Sequence, residues 1–175
     1  MEENKMKEII VEKVTLNIGT GESGQKLENA KTLLATISKK TPVATSARIR
    51  SPVFKIKKGD KIGAKVTLRR KDARDLLERA FKAVEHTVQE RSFDKNGNFS
   101  FGVKEYIDFP GVKYDPKIGI IGFDVCVTLR RRGARVARRR RARSRVGKFH
   151  KITREEGIAF VKGLNVKIDQ GGTNV

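Results

Sequence analysis

Four places in this chain hold residue types that could do covalent or cofactor chemistry. Residues 19–24, Gly-Thr-Gly-Glu-Ser-Gly, spell a G-x-G-x-x-G between an alternating segment and a helical one. In a dinucleotide site such glycines let the backbone approach a pyrophosphate, and an acid about 20 positions on holds the ribose hydroxyls. The corresponding stretch here, Val43-Ala44-Thr45-Ser46-Ala47-Arg48, has no acid, and no run of βαβ units follows. A phosphate loop fails too, because Gly24 is followed by Gln25-Lys26 and not by Lys-Ser or Lys-Thr. The expectation is a turn that can offer backbone N–H groups to a phosphate. Cys126, the single cysteine, has no Cys or His at ligand spacing and no sign of activation. His86 has no second ligand nearby and reads as a surface histidine. The pair Glu155/Glu156 follows Thr153 at capping-box spacing, so it is expected to open a helix rather than to catalyse. No enzyme, cofactor or metal site is therefore expected.

Non-covalent recognition is better supplied. Ile62 to Arg70 alternates, with Ile62, Ala64, Val66 and Leu68 on one side and Lys65, Thr67 and Arg69 on the other, as successive strand residues must. A first strand over residues 10–18 would put Ile10, Glu12, Val14, Leu16 and Ile18 inward, with Glu12 at the outer end of the row. Val11, Lys13, Thr15 and Asn17 would then face the other way. If the two strands are neighbours, Lys13, Thr15, Asn17, Lys65, Thr67 and Arg69 share one polar face of hydroxyls, an amide and cations. Such groups suit the sugar hydroxyls and phosphates of an RNA minor groove. The strands carry no exposed aromatic pairs, which argues against single-strand base stacking along the sheet.

Charge points the same way. The chain has 175 residues and a formal net charge of +20. Residues 39–71 carry a net +11 and residues 130–151 a net +12, which leaves the remainder at −3. Two concentrated basic segments on a near-neutral scaffold are the footprint of a nucleic-acid binder. Ser46 to Lys61 is expected as an irregular basic loop, a partner-binding finger with Arg48, Arg50, Lys55, Lys57, Lys58 and Lys61 around Phe54 and Ile56, against the alternative of an ordinary hairpin. The run from Gly133 to Lys148 includes Arg138, Arg139, Arg140 and Arg141, with only Val136 and Val146 as larger aliphatics. It cannot anchor itself by burial, and arginine-rich segments of this kind commonly order on RNA. One cysteine excludes an internal disulfide framework, and no stretch is apolar enough for a signal or a membrane span, so a soluble cytoplasmic protein is expected.

The elements that must position these groups are legible from periodicity. A helix from about 25 to 38 buries Leu27, Ala30, Leu33, Leu34 and Ile37. A second, capped by Asp72, carries a stripe of Ala73, Leu76, Leu77, Ala80, Phe81, Val84 and Val88, with Asp75–Arg79 and Glu78–Lys82 pairs outside it. Strands are expected at 42–45, around Phe99, Phe101 and Val103, and from Ile121 to Leu129. Asp124, Cys126, Thr128 and Arg130 lie on the outer face of the last. Residues 107–116 are too interrupted for regular structure. A short helix follows Thr153 through Ile158, Val161 and Leu164. Residues 1–6 and 170–175 read as loose ends. The fold expected is α+β, a two-layer sandwich within one domain of residues 1–175: a mostly antiparallel sheet, helices on one face and a basic polar face exposed. A DNA binder would need a helix bearing cations and amides for the major groove, but both good helices serve the core.

Several stretches resemble the fifth protein family of the ribosomal large subunit. They are Glu12 to Gly21 (Glu-Lys-Val-Thr-Leu-Asn-Ile-Gly-Thr-Gly), Lys55-Ile56 with Lys58-Gly59, and Ile62 to Arg69. Tyr114 to Gly122 and Gly133 to Arg140 resemble its archaeal/eukaryotic branch, and the likeness runs in order over roughly residues 8–168. The resemblance implies a two-layer α/β sandwich that docks on 5S rRNA in the central protuberance and meets large-subunit rRNA. It implies that the 46–61 loop reaches P-site tRNA and that the protein helps bridge to a small-subunit head protein. By position, Asn17 and Thr67 match family residues at the 5S contact. Lys40 stands where the bacterial branch commonly has glutamine, which implies a charge-based contact there.

Overall fold

A computed structural model describes residues 4–169. Its main sheet has five strands in the order β2-β3-β1-β6-β5, every neighbouring pair antiparallel. These are β1 (Ile9–Gly19), β2 (Val43–Ser46), β3 (Lys61–Arg69), β5 (Phe99–Val103) and β6 (Phe123–Arg131). A separate pair, β4 (Thr87–Gln89) and β7 (Lys167–Asp169), runs parallel. The helices are α1 (Gln25–Ser38), α2 (Arg70–Ala83) and α3 (Arg154–Lys162). The α+β class with an open, mostly antiparallel sheet is as expected.

Alternation decides the layering. Val14, Leu16 and Ile18 of β1, Ala64, Val66 and Leu68 of β3, and Val125, Val127 and Leu129 of β6 are all buried on one side. The apolar stripes of α1 and α2 close over them, α1 packing on β3 and α2 on β1 and β3. Aromatic side chains extend this core: Phe81, Phe93, Phe99 and Phe101 lie ring to ring at centroid distances of 5.2–6.3 Å. Phe109, from the irregular stretch, is also buried and meets Phe123 edge-on at 5.7 Å.

Several local expectations are corrected. The inward row of β1 does not run through Ile10 and Glu12. The register with β6 shifts between Val11 and Lys13, a bulge that turns Val11 inward and leaves Glu12 as the extra residue. Asp72 is not the cap of α2; Arg69 holds that position, and Asp72 lies in the first turn, paired with Lys40 at 3.0 Å. The second stripe stops short of Val88. The helix ends at Ala83, and Glu85 and His86, at φ 53° and 54°, swing the chain into β4, from which Val88 is buried. Arg79 does not pair with Asp75: its Nη2 donates to Ile37 O at 3.3 Å and its guanidinium lies over the Phe109 ring, stapling α2 to α1. Leu164 lies beyond the end of α3 and is exposed. At the start of the chain, Lys5–Lys7 form a 3₁₀ turn capped by Asn4; the remainder of the expected loose ends, 1–3 and 170–175, lies outside the described residues.

The capping box of α3 is present. Glu156 N donates to Thr153 Oγ1 at 3.4 Å, and Thr153 N donates to Glu156 Oε2 at 3.1 Å. This helix meets the Asn96-Gly97 turn backbone to backbone. A Cβ at Gly157 would stand 2.5 Å from Gly97 O, and one at Gly97 only 2.6 Å from Ile152 Cγ2. Gly157→Ala is expected to cost about 1–3 kcal/mol of stability by overpacking a backbone contact that cannot yield. Chemical denaturation would read this as a lower midpoint; an unchanged midpoint would mean α3 is not seated on that turn.

Candidate nucleic-acid interface

The strand order brings the polar residues of four strands onto one face. The β1–β3 register sets Lys13 beside Arg69, Thr15 beside Thr67 and Asn17 beside Lys65. On the other flank β6 sets Thr128, Cys126 and Asp124 beside the same three β1 residues, and Ser100 of β5 lies beyond Cys126. The result is two cross-strand rows, Ser100–Cys126–Thr15–Thr67 and Gly102–Asp124–Asn17–Lys65. Lys65, Arg69, Asp124, Cys126 and Ser100 are exposed, while Lys13, Thr15, Asn17, Thr67 and Thr128 are half-buried. No side chain in this set is buried, because both long helices occupy the opposite face. Thr15 and Thr67 share a hydroxyl contact of 3.4 Å, which orients two neighbouring oxygens outward from the middle of the sheet.

Sequence reasoning assembled the β1 and β3 residues but left out the contribution of β6 and β5. The missing signal lay in β6 itself, whose Asp124, Cys126 and Thr128 alternate as cleanly as Lys65 and Thr67. Only the pairing of β6 with β1 makes them part of the face. Cys126 sits at its centre as a free thiol. Partial burial, with the Asp124 carboxylate adding to it, pushes the thiol pKa up, so it stays protonated near neutral pH and is no nucleophile.

The glycine turn uses two of its N–H groups internally. Both Thr20 N and Gly21 N donate to Ile62 O, at 2.9 and 3.1 Å. They splice the end of β1 to the start of β3. Close by, a Cβ on Gly63 would lie 2.7 Å from Ile18 O and 2.8 Å from Thr45 Oγ1, so glycine there permits the close approach of three strands.

The 46–61 excursion is more ordered than an irregular loop. Ala47 N donates to Asp60 O and Gly59 N to Ala47 O, at 2.8 and 3.0 Å, and Ser51 and Ile56 exchange two backbone bonds of 3.0 Å. Asp60 Oδ2 takes Lys57 N at 2.7 Å to hold the Lys-Gly-Asp turn. These bonds make a two-tiered extension of the β2–β3 pair. Arg48, Arg50, Lys55, Lys57 and Lys58 are all exposed on it. So are three large apolar side chains, Ile49, Val53 and Phe54 at 80%, 85% and 73% exposure, which a merely solvated hairpin would not need.

The arginine-rich segment buries no residue of its own between 132 and 151, in line with its composition. It is nonetheless tethered by acids from outside it, which composition within the segment could not show. The Glu12 side chain, 7% exposed, takes the guanidinium of Arg138 and lies 4.0 Å from that of Arg130. Arg131 reaches Glu156 at 2.5 Å, so the same carboxylate that caps α3 also holds the segment's root. Arg132 pairs with Glu8 at 2.7 Å. Arg139 and Arg143 donate their Nε to Ala142 O and Ala137 O, both at 2.6 Å. Arg140 and Arg141 are left exposed with their heads unengaged. Of the expected RNA-contacting residues, Lys40 is the one set apart. It sits on the α1–β2 connection facing Asp72 of the helix layer, away from the two rows. Among the described residues no group of His, Cys, Asp and Glu is arranged to hold a metal ion, and no helix is long and apolar enough to cross a membrane.

Residues 4–57 match the family model of ribosomal protein L5, and residues 61–160 match the model of the same ribosomal family's C-terminus. Large ribosomal subunit protein uL5 of Pyrobaculum aerophilum is 50% identical over 165 residues, covering 94% of this chain and 92% of the relative. Those of Methanoregula boonei and Archaeoglobus fulgidus are 45% and 43% identical, covering 90% and 95% of this chain and 95% and 93% of the relatives. Two successive family matches that together span most of the sequence, and archaeal relatives of nearly equal length, lead to one conclusion: the chain belongs to the L5 (uL5) family of large-subunit ribosomal proteins, structural components of the cytoplasmic ribosome and not enzymes.

Proposed function

We propose that the open face of the sheet binds 5S rRNA in the large ribosomal subunit, reading the backbone and shape of a folded helix. The observation that carries this is the pair of hydrogen-bonding rows across β5, β6, β1 and β3, uncovered by any described helix and flanked by Lys13, Lys65 and Arg69. Hydroxyls and an amide at strand spacing match the 2′-hydroxyls and phosphates of a wide, shallow minor groove. The extension at 46–61 reaches P-site tRNA through its cations and Phe54, and the arginine-rich segment with Arg138 to Arg141 meets rRNA, large-subunit rRNA included. Lys40 adds charge at the margin of the 5S contact. In this place the protein lies next to other ribosomal proteins and helps bridge to the head of the small subunit.

Three outcomes check the reading. Asn17→Ala with Thr67→Ala should weaken binding to 5S rRNA in a filter or fluorescence titration by roughly tenfold or more, on the order of 1 kcal/mol for each lost hydrogen bond. The melting temperature should barely move, since only the Thr15–Thr67 hydroxyl contact is lost from the fold; equal binding by wild type and double variant would sink the assignment of this face. Arg140→Gln with Arg141→Gln should reduce the slope of log affinity against log salt by about two, one for each phosphate contact removed, and an unchanged slope would mean that these heads face solvent in the complex. Replacing Lys55, Lys57 and Lys58 by glutamine should lower crosslinking to P-site tRNA in reconstituted ribosomes while 5S rRNA affinity holds, whereas parallel losses would place the extension on 5S rRNA instead.

A further inference from the structure

Seven of the nine phenylalanines serve the core or pack against it; Phe54 and Phe149 do not. Phe149 is 99% exposed, the barest large apolar side chain among the described residues. Its backbone, by contrast, is firmly placed. Residues Lys148–His150 form a 3₁₀ turn in which His150 N donates to Gly147 O at 3.0 Å and Lys151 N to Lys148 O at 3.3 Å. Arg131 Nη1 donates to Phe149 O at 3.4 Å, and that same arginine is locked to Glu156. The His150 ring reaches Arg132 O with Nε2 at 2.7 Å, and Ile152, two residues on, is buried. The ring therefore projects from a turn anchored on both sides, with its own two faces touching nothing.

Resting on the RNA-binding reading above, we infer that Phe149 is a stacking platform for one unpaired RNA base. Its surroundings select that ligand. No acid occurs from Arg130 to Lys151, and the exposed Lys148 and Lys151 stand one residue before and two residues after the phenylalanine in the chain. The only larger aliphatics of the segment, Val136 and Val146, are half-buried, so the segment itself adds no second exposed apolar side chain to Phe149. An exposed flat ring with a lysine on either side of it in the chain matches a nucleobase with its flanking phosphates. Bases inside a duplex are already stacked, which leaves a loop, bulge or end. Preorganisation adds to the fit, because binding need not order the turn.

The chain contains no tryptophan, so Phe149→Trp introduces a sole indole at the proposed contact. With the 175-residue chain, 5S rRNA and deproteinised large-subunit rRNA are titrated separately, and heparin serves as a polyanion without bases. Expected is the emission of a solvent-exposed indole, quenched by one of the two RNAs at saturation and not by heparin. Phe149→Ala and Phe149→Leu should both lose roughly five- to hundredfold in affinity for that RNA, whereas Phe149→Tyr and Phe149→Trp keep it. The salt slope and melting temperature should stay at their wild-type values, since no charge or packing contact is removed. Unquenched emission with RNA bound, quenching equal to that by heparin, or unchanged affinity of Phe149→Ala would each overturn the inference while leaving RNA binding by the sheet face standing. Salt-independent or absent RNA binding by the wild-type chain would overturn the underlying reading and this inference together.

Discussion

The pairing of β1 with β3 and β6 is the constraint from which the rest of this protein follows. It places Asn17 between Lys65 and Asp124, and Thr15 between Thr67 and Cys126. Because strand side chains alternate, the same register that lines up these polar groups also lines up Val14, Leu16, Val66 and Val125 beneath them. A slip by one residue would exchange the two faces, exposing the apolar rows and burying the lysines. The helices thus fix the polar face without touching it: burying Leu33, Leu34, Ile37, Leu76 and Leu77 against the inner rows leaves the outer rows no alternative but water or a partner.

Electrostatics adds a second level of organisation. A chain at +20 repels itself, and three of its 20 acids are set against the arginine-rich segment, where like charge is most concentrated. Glu8, Glu12 and Glu156 each take a guanidinium from the arginine-rich segment. An exposed ion pair contributes little by itself. The Glu12 carboxylate is nearly buried, however, so its attraction is less screened, and the Glu156 carboxylate is also fixed by its capping bonds. The acids hold the root of the segment against the sheet, while Arg140 and Arg141 keep their heads outward. For a ribosomal protein this division makes sense: some cations build the protein, and the remainder are left for a polyanion.

Much of the fold is legible in short-range pattern alone. The stripes of α1 and of α2 up to Phe81, the strands at 62–70 and around Phe99 to Val103, the capping box at Thr153 and the turn character of residues 19–24 are local features, and local features survive folding. The errors share a cause as well. Val88 continues the helical spacing of α2 but belongs to β4, because the left-handed residues Glu85 and His86 break the helix and β7, distant in sequence, offers a partner. Glu12 fits an alternating strand on paper but is bulged out, and its carboxylate is used by arginines far along the chain.

The division into an apolar and a polar face, the two basic segments and the family resemblance can all be read from residue order, since each depends on periodicity, composition or motif order. Which polar groups are neighbours, and which cations are left unpaired, is settled by folding. Strand order brought Asp124, Cys126 and Ser100 into the rows, sent Lys40 to Asp72, and separated the tethered Arg138 from the open Arg140 and Arg141. Those outcomes hinge on contacts between residues far apart in sequence, and no short-range pattern encodes which distant partner a side chain will meet.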